Sequence, residues 1–221
     1  SPVLSIVPEP EPDFNVSGVT GVVFSSRNAI TVVSGWTCLD ALRAKPAFCV
    51  GPKTASLARD AGFDVVGDVA ATAVELADVL IRHCKLGEGN GDQNSLSNHR
   101  IVQFAGANVA ADLVGRIRAA GYGAEKVVVY RAEAARDLTD EARIALTDEC
   151  INAVVLYSPR SAKVFRELID TTELGDKLNG VSLLCLSANV AAELEHVGEM
   201  AARVAVAEKP NGKEMLALID R

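Results

Sequence analysis

Cys49-Val50-Gly51-Pro52-Lys53-Thr54-Ala55-Ser56-Leu57-Ala58 is the stretch on which the fold turns. Ala47 to Val50 reads as a short buried strand, Gly51-Pro52 as the turn, and Thr54 as a residue near the start of a helix that stops at Gly62. A strand that ends in small residues and turns into a helix leaves N–H groups unpaired at the positive end of the helix dipole. Such a start attracts anions. The same device recurs along the chain, and the recurrence points to a substrate bearing several carboxylates.

Working outward, buried strands are expected at Gly21 to Phe24, Asp64 to Val66, Arg100 to Phe104, Lys126 to Tyr130, Ala153 to Tyr157, Val181 to Leu186 and Arg203 to Val206. Helical spacing runs from Asn28 towards Leu42, with Trp36, Leu39 and Leu42 on one face. Thr72 to Lys85 is amphipathic, with Val74, Leu76, Ala77, Leu80 and Ile81 as its stripe and a Thr72/Glu75 cap. Further helices are expected over Val109 to Ala120, Thr139 to Asp148, Ser158 to about Ile169, Ser187 to about Val197, and Asn211 to Ile219. Pro8 to Pro12 alternates Pro and Glu and reads as a stiff exposed link. Gly87 to Asn98, rich in Gly, Asn and Ser, reads as a mobile surface loop.

Alternating strands and helices define an α/β class with mainly parallel sheets. The order also echoes itself: Val22-Val23-Phe24-Ser25-Ser26-Arg27 is like Val154-Val155-Leu156-Tyr157-Ser158-Pro159-Arg160, and Phe48-Cys49-Val50-Gly51 is like Leu184-Cys185-Leu186-Ser187. Two related lobes explain the echo, with their small polar loops placed around one cleft at the carboxyl ends of the strands.

Composition narrows the function. The 221 residues suffice for two small domains. A net charge of -7 disfavours nucleic acid or an anionic membrane as partner. No apolar run reaches the roughly 18 residues that span a bilayer, and no signal peptide is visible at the acidic start. Cys38, Cys49, Cys84, Cys150 and Cys185 form no C-x-x-C pair and read as reduced thiols of the cytoplasm. His83, His99 and His196 are scattered, so no metal is expected.

Val23-Phe24-Ser25-Ser26-Arg27-Asn28-Ala29, Val50 to Ala58 closing at Gly62-Phe63, Val127 to Ala132, Val155 to Ala162, and Cys185-Leu186-Ser187 through Gly198 to Ala207 together resemble the uroporphyrinogen-III synthase family over essentially the whole chain. The resemblance implies two lobes of parallel sheet flanked by helices and joined by two extended connector strands. Residues 8–129 would form the inserted lobe, 133–221 the second lobe, and 3–7 and 128–132 the connectors. Family members open with a strand and a helix of the second lobe. This chain starts at Ser1-Pro2-Val3-Leu4, where that pair would already have ended.

The resemblance further implies a monomeric lyase without a cofactor. It would cyclise the linear tetrapyrrole hydroxymethylbilane with inversion of the last ring, and a transient contact with hydroxymethylbilane synthase is expected. Tyr130 matches the family's site tyrosine and would donate to the departing hydroxyl; Thr54 matches its site threonine. Gly51, Gly106, Ser26, Arg27 and Asn28 in the first lobe, and Ser158, Arg160, Ser161, Ser187 and Asn189 in the second, are candidates to bind the substrate. For each serine and asparagine capping is the competing role, and for each arginine a solvated charge. Two departures from the family stand out. Ser187-Ala188-Asn189-Val190-Ala191 replaces a Gly-Pro-x-Thr-Ala run, and the turn at Gly106-Ala107-Asn108 carries no basic residue. The competing function is a two-lobed α/β binding protein for small solutes, without catalysis. Nucleotide binding is disfavoured, because neither G-x-G-x-x-G nor G-x-x-x-x-G-K-[ST] occurs.

Overall fold

The computed structural model describes residues 2–67, 69–87, 100–108 and 111–219. The chain divides into two compact units, residues 6–132 and residues 1–5 with 133–221. It passes between them twice, along β1 (Leu4–Pro8) and β5 (Gly123–Ala134). The expected loop from Gly87 to Asn98 lies almost wholly outside the described residues.

The first unit is built on a sheet of β1, β5, β4 (Arg100–Gly106), β2 (Gly21–Phe24) and β3 (Ala47–Cys49), in that spatial order. β3, β2, β4 and β5 run parallel. Their nearly unbroken apolar sequence reflects cover on both faces. On one face, α1 (Arg27–Val33) and α3 (Pro52–Asp60) supply Ile30, Val33, Ala55 and Ala58 to a core with Phe24 and Phe104. On the other, α4 (Ala73–Gly87) and α5 (Leu113–Ala119) bury Leu76, Leu80, Cys84, Leu113 and Ile117 against Val23, Phe48 and Ile101. The chain goes from β2 out to β3 and returns across β2 to β4. That reversal between β2 and β4 is the place where open α/β sheets bind ligands.

The expected helix from Asn28 to Leu42 is two helices, α1 and α2 (Leu39–Arg43). Ser34-Gly35 breaks it, although Trp36, Leu39 and Leu42 continue the helical spacing. The break makes room for a cap from elsewhere. Glu11 accepts from the Thr37 N–H at 2.7 Å, the Thr37 hydroxyl at 2.9 Å and the Cys38 N–H at 3.2 Å. The Pro-Glu link is thus tied down at the start of α2. The Thr37 N–H above all, with partial desolvation opposing and the Thr37 hydroxyl and Cys38 helping, holds the Glu11 carboxyl below its ordinary value. A carboxyl depressed in the folded state adds stability above its unfolded pKa, and that stability fades as pH falls through the folded value. Glu11→Gln is therefore expected to be less stable than the parent at pH 7. Urea titrations should show the difference vanishing in acid, where the parent carboxyl is protonated too.

Asp64 to Val66 forms no regular strand; isolated parallel bridges join Ala47 to Val65 and Val50 to Ala70. The expected strand over Lys126 to Tyr130 extends to the twelve residues of β5. Within the α4 stripe, Val74 is exposed and Cys84 buried instead.

The second unit carries a parallel sheet in the order β6 (Ala153–Leu156), β7 (Ser182–Cys185), β8 (Arg203–Val206). α6 (Asp140–Thr147) and α7 (Pro159–Thr172) pack Leu146, Phe165, Leu168 and Ile169 against Leu156 and Leu183. α10 (Gly212–Ala217) covers Leu184 with Met215, and Asn211 caps it by accepting from the Glu214 N–H at 3.0 Å. The expected helix from Ser187 to Val197 is split into α8 (Ala188–Ala192) and α9 (His196–Met200), with Glu195 at a positive φ of 46° between them. Cys49, Cys84 and Cys185 are buried, while Cys150 is exposed. Burial pushes the Cys49 and Cys185 thiols up to about 11. Among the described residues no helix is long and apolar enough to cross a membrane.

Candidate functional site

The carboxyl ends of β2, β4 and β5 in the first unit converge on a pocket of about 420 Å³. Ser25, Ser26, Thr72, Gln103, Asn108 and Tyr130 give it polar groups, and Val50, Val74 and Ala111 apolar wall. No charged side chain lines it among the described residues. It lies at the β2/β4 reversal, under the starts of α4 and α5.

Tyr130 is aimed by the backbone. Along β4 and β5 the register steps from Ala105↔Val128 to Gly106↔Tyr130, so Val129 is an extra residue. Such a bulge re-aims the following side chain. Tyr130 then lies across Gly106. A Cβ on residue 106 would stand 2.7 Å from its ring and 3.0 Å from its hydroxyl, too close for any side chain. Glycine at 106 thus permits the tyrosine's position. Gly106→Ala is expected to displace the ring and to lower any activity that depends on Tyr130 by about tenfold or more, since misplacing a group by an ångström can cost a hundredfold. Steady-state kinetics with a thermal melt will tell displacement from unfolding.

The Tyr130 hydroxyl donates to Ser26 Oγ at 3.1 Å, and the Asn28 N–H donates to the same oxygen at 3.2 Å. Ser26 is the cap of α1 and accepts twice, so its own proton is free to point elsewhere. Asn28 contributes its backbone to this arrangement. Arg27 is exposed, and among the described residues no ion pair includes it.

Thr54 occupies the third position of α3. It is 7 % exposed and does not line the pocket. Gly51, in the left-handed region at φ 81°, is the residue at the helix start. The anion site read at this turn is smaller than expected. Pro52 has no N–H, and the Thr54 and Ala55 N–H groups both close on the Gly51 carbonyl, at 3.2 and 3.1 Å. Of the first turn, only the Lys53 N–H lacks an acceptor among the described residues.

In the second unit Ser158 and Ser161 form a reciprocal cap at the start of α7. The Ser161 hydroxyl donates to the Ser158 carbonyl at 2.8 Å, and the Ser158 hydroxyl to Ser161 Oγ at 3.0 Å. Both hydroxyl protons are engaged within the cap. Arg160 and Asn189 are exposed, and Ser187 begins α8 without a side-chain cap bond. A second cavity, of about 500 Å³, lies along β6, walled mainly by Leu138, Leu146, Ile151, Val154, Leu156 and Phe165. Tyr157 and the two capping serines are the polar side chains in its wall.

Sequence reasoning missed Gln103, Ser25, Thr72 and Asn108 as pocket residues. One signal was present for Gln103: a carboxamide in the middle of the apolar strand Ile101-Val102-Gln103-Phe104-Ala105.

Together these observations define a two-unit α/β protein of the doubly wound type, with an uncharged hydroxyl- and carboxamide-lined site at its strand ends. The family model for uroporphyrinogen-III synthase HemD matches residues 1–217, and the chain belongs to that family. Among solved structures, the uroporphyrinogen-III synthetase of Helicobacter pylori is similar at 17 % identity and TM-score 0.67, over 98 % of this chain and 89 % of that one. A mutant uroporphyrinogen III synthase of the extremely thermophilic bacterium Thermus thermophilus matches at 18 % identity and TM-score 0.48, over 100 % of this chain and 86 % of that one. At these identities the H. pylori likeness speaks for the fold. No curated protein matches the chain.

Proposed function

We propose that this chain is a uroporphyrinogen-III synthase, a cyclising hydro-lyase that converts hydroxymethylbilane to uroporphyrinogen III in the cytoplasm. The family match over residues 1–217 carries the reading. The Tyr130–Ser26 hydroxyl pair at an uncharged pocket supports it.

The reaction begins when the C–O bond of the hydroxymethyl group breaks and its electron pair leaves with oxygen. The pyrrole nitrogen supplies the electron push, and the cation is delocalised over the ring. Tyr130 assists by donating its O–H to the departing oxygen. When its O–H turns from Ser26 to the substrate, the free proton of Ser26 can replace that bond by donating back to the tyrosine oxygen. The cation is then attacked by the substituted carbon of the last ring. The resulting spiro intermediate opens and recloses, and one water is lost overall. Unguided attack at the unsubstituted position gives isomer I, so the enzyme's main task is orientation. Arg27 is proposed to pair with a substrate carboxylate. Arg160, Ser187 and Asn189 are proposed as carboxylate ligands of the second unit, and Thr54 through its hydroxyl or the adjacent Lys53 N–H. A passing contact with hydroxymethylbilane synthase would shorten the exposure of an unstable substrate.

The test is kinetic. Hydroxymethylbilane, formed in place by its own synthase, closes spontaneously. Catalytic amounts of this protein should accelerate its disappearance in proportion to enzyme concentration. A rate equal to the spontaneous one would refute the reading.

A further inference from the structure

Gln103 is 2 % exposed and still lines the pocket. Its place follows from the sheet: in β4 it sits beside Val23 of β2, on the face that α4 and α5 cover. Its one hydrogen bond among the described residues is a long one, from Nε2 to Ser25 Oγ at 3.4 Å. The carboxamide oxygen therefore has no donor among them, although a buried polar group without a partner is costly. A buried acceptor facing a cavity takes its donor from whatever occupies that cavity, water when it is empty and a ligand when it is filled.

The pocket's character narrows that ligand. With no charged residue in its described wall, it is poorly suited to a carboxylate, which would be desolvated there without a counter-charge. Its volume of about 420 Å³ suits a single pyrrole ring. A pyrrole ring offers one N–H donor and an otherwise apolar face, matching one buried acceptor among Val50, Val74 and Ala111.

We propose that Gln103 is a substrate-positioning residue that accepts the N–H of one pyrrole ring, seating the hydroxymethyl-bearing ring beside Tyr130. This rests on the synthase reading and adds to it which part of the substrate the pocket takes: the heterocycle of the reacting ring, with that ring's own two carboxylate side chains directed out through the pocket's open side. A ring pinned by its N–H cannot rotate within the pocket, so Gln103 bears on which carbon is attacked as well as on binding.

The test compares Gln103→Leu with the parent in three readouts: melting temperature, kcat/KM, and the ratio of isomer III to isomer I. Leu removes the acceptor at similar volume, so the melt should not fall. We expect kcat/KM to drop roughly tenfold or more, with a rise in isomer I. With enzyme raised until spontaneous closure is negligible, a purely structural role would not shift the isomer ratio of the folded variant. A parent that makes isomer III and a variant equal to it in rate and ratio would overturn the role of Gln103 alone. A parent that makes only isomer I would overturn the synthase reading and this inference together. If Gln103→Leu fails to fold, Gln103→Met, which keeps the unbranched shape, carries the same comparison.

Discussion

Tyr130→Phe is expected to lower kcat about a hundredfold while leaving KM within about twofold. A positioned acid contributes roughly a hundredfold to ten-thousandfold. The lower end applies here because pyrrole nitrogen already supplies the push that breaks the C–O bond. The substitution leaves the ring over Gly106 and the bulge at Val129 untouched, so binding and orientation persist. Ser26 keeps the Asn28 N–H as its partner. The loss should therefore fall on turnover, and the product should stay isomer III. Steady-state rates with substrate generated in place measure both constants. An unchanged kcat would remove Tyr130 from the chemistry and leave it a packing residue.

Phe104→Ala is expected to cost about 4 kcal/mol. Phe104 is fully buried. Its ring meets Trp36 edge-on at 5.4 Å, Phe14 edge-on at 5.8 Å and Phe24 stacked at 5.7 Å. Truncation leaves a cavity among these rings and removes three aromatic contacts. Most domains are stable by only about 5–15 kcal/mol, so the variant should show a markedly lower urea midpoint. A shift of under about 1 kcal/mol would mean that the aromatic cluster collapses to fill the space.

The class of fold was legible in the sequence because strands covered on both faces are written as apolar runs. Gly21 to Phe24, Arg100 to Phe104 and Ser182 to Cys185 could hardly be read otherwise. The break between α1 and α2 was hidden, since Trp36, Leu39 and Leu42 keep a helical period past Ser34-Gly35. The capping of α2 by Glu11 was hidden too, because nothing local in a Pro-Glu run announces a partner 26 residues away. Asp64 to Val66 has strand-forming residues but only isolated bridges, so composition alone misled.

The site was less legible than the fold. Tyr130 and Ser26 are 104 positions apart, and no spacing rule joins them. Their meeting depends on a bulge and on the missing side chain of Gly106. Tyr130 entered the reading through the family resemblance, and Ser26 as one of several polar residues at helix starts. Gln103 lay outside it and was visible only as a polar residue where an apolar one belongs.

The central claim is that the protein directs ring closure, and the identity of the product tests it most directly. Hydroxymethylbilane generated in place should be converted, the products oxidised, and the uroporphyrin isomers separated with and without this protein. Isomer III should predominate when the protein is present, and isomer I when it is absent. Isomer I alone in both mixtures would contradict the account.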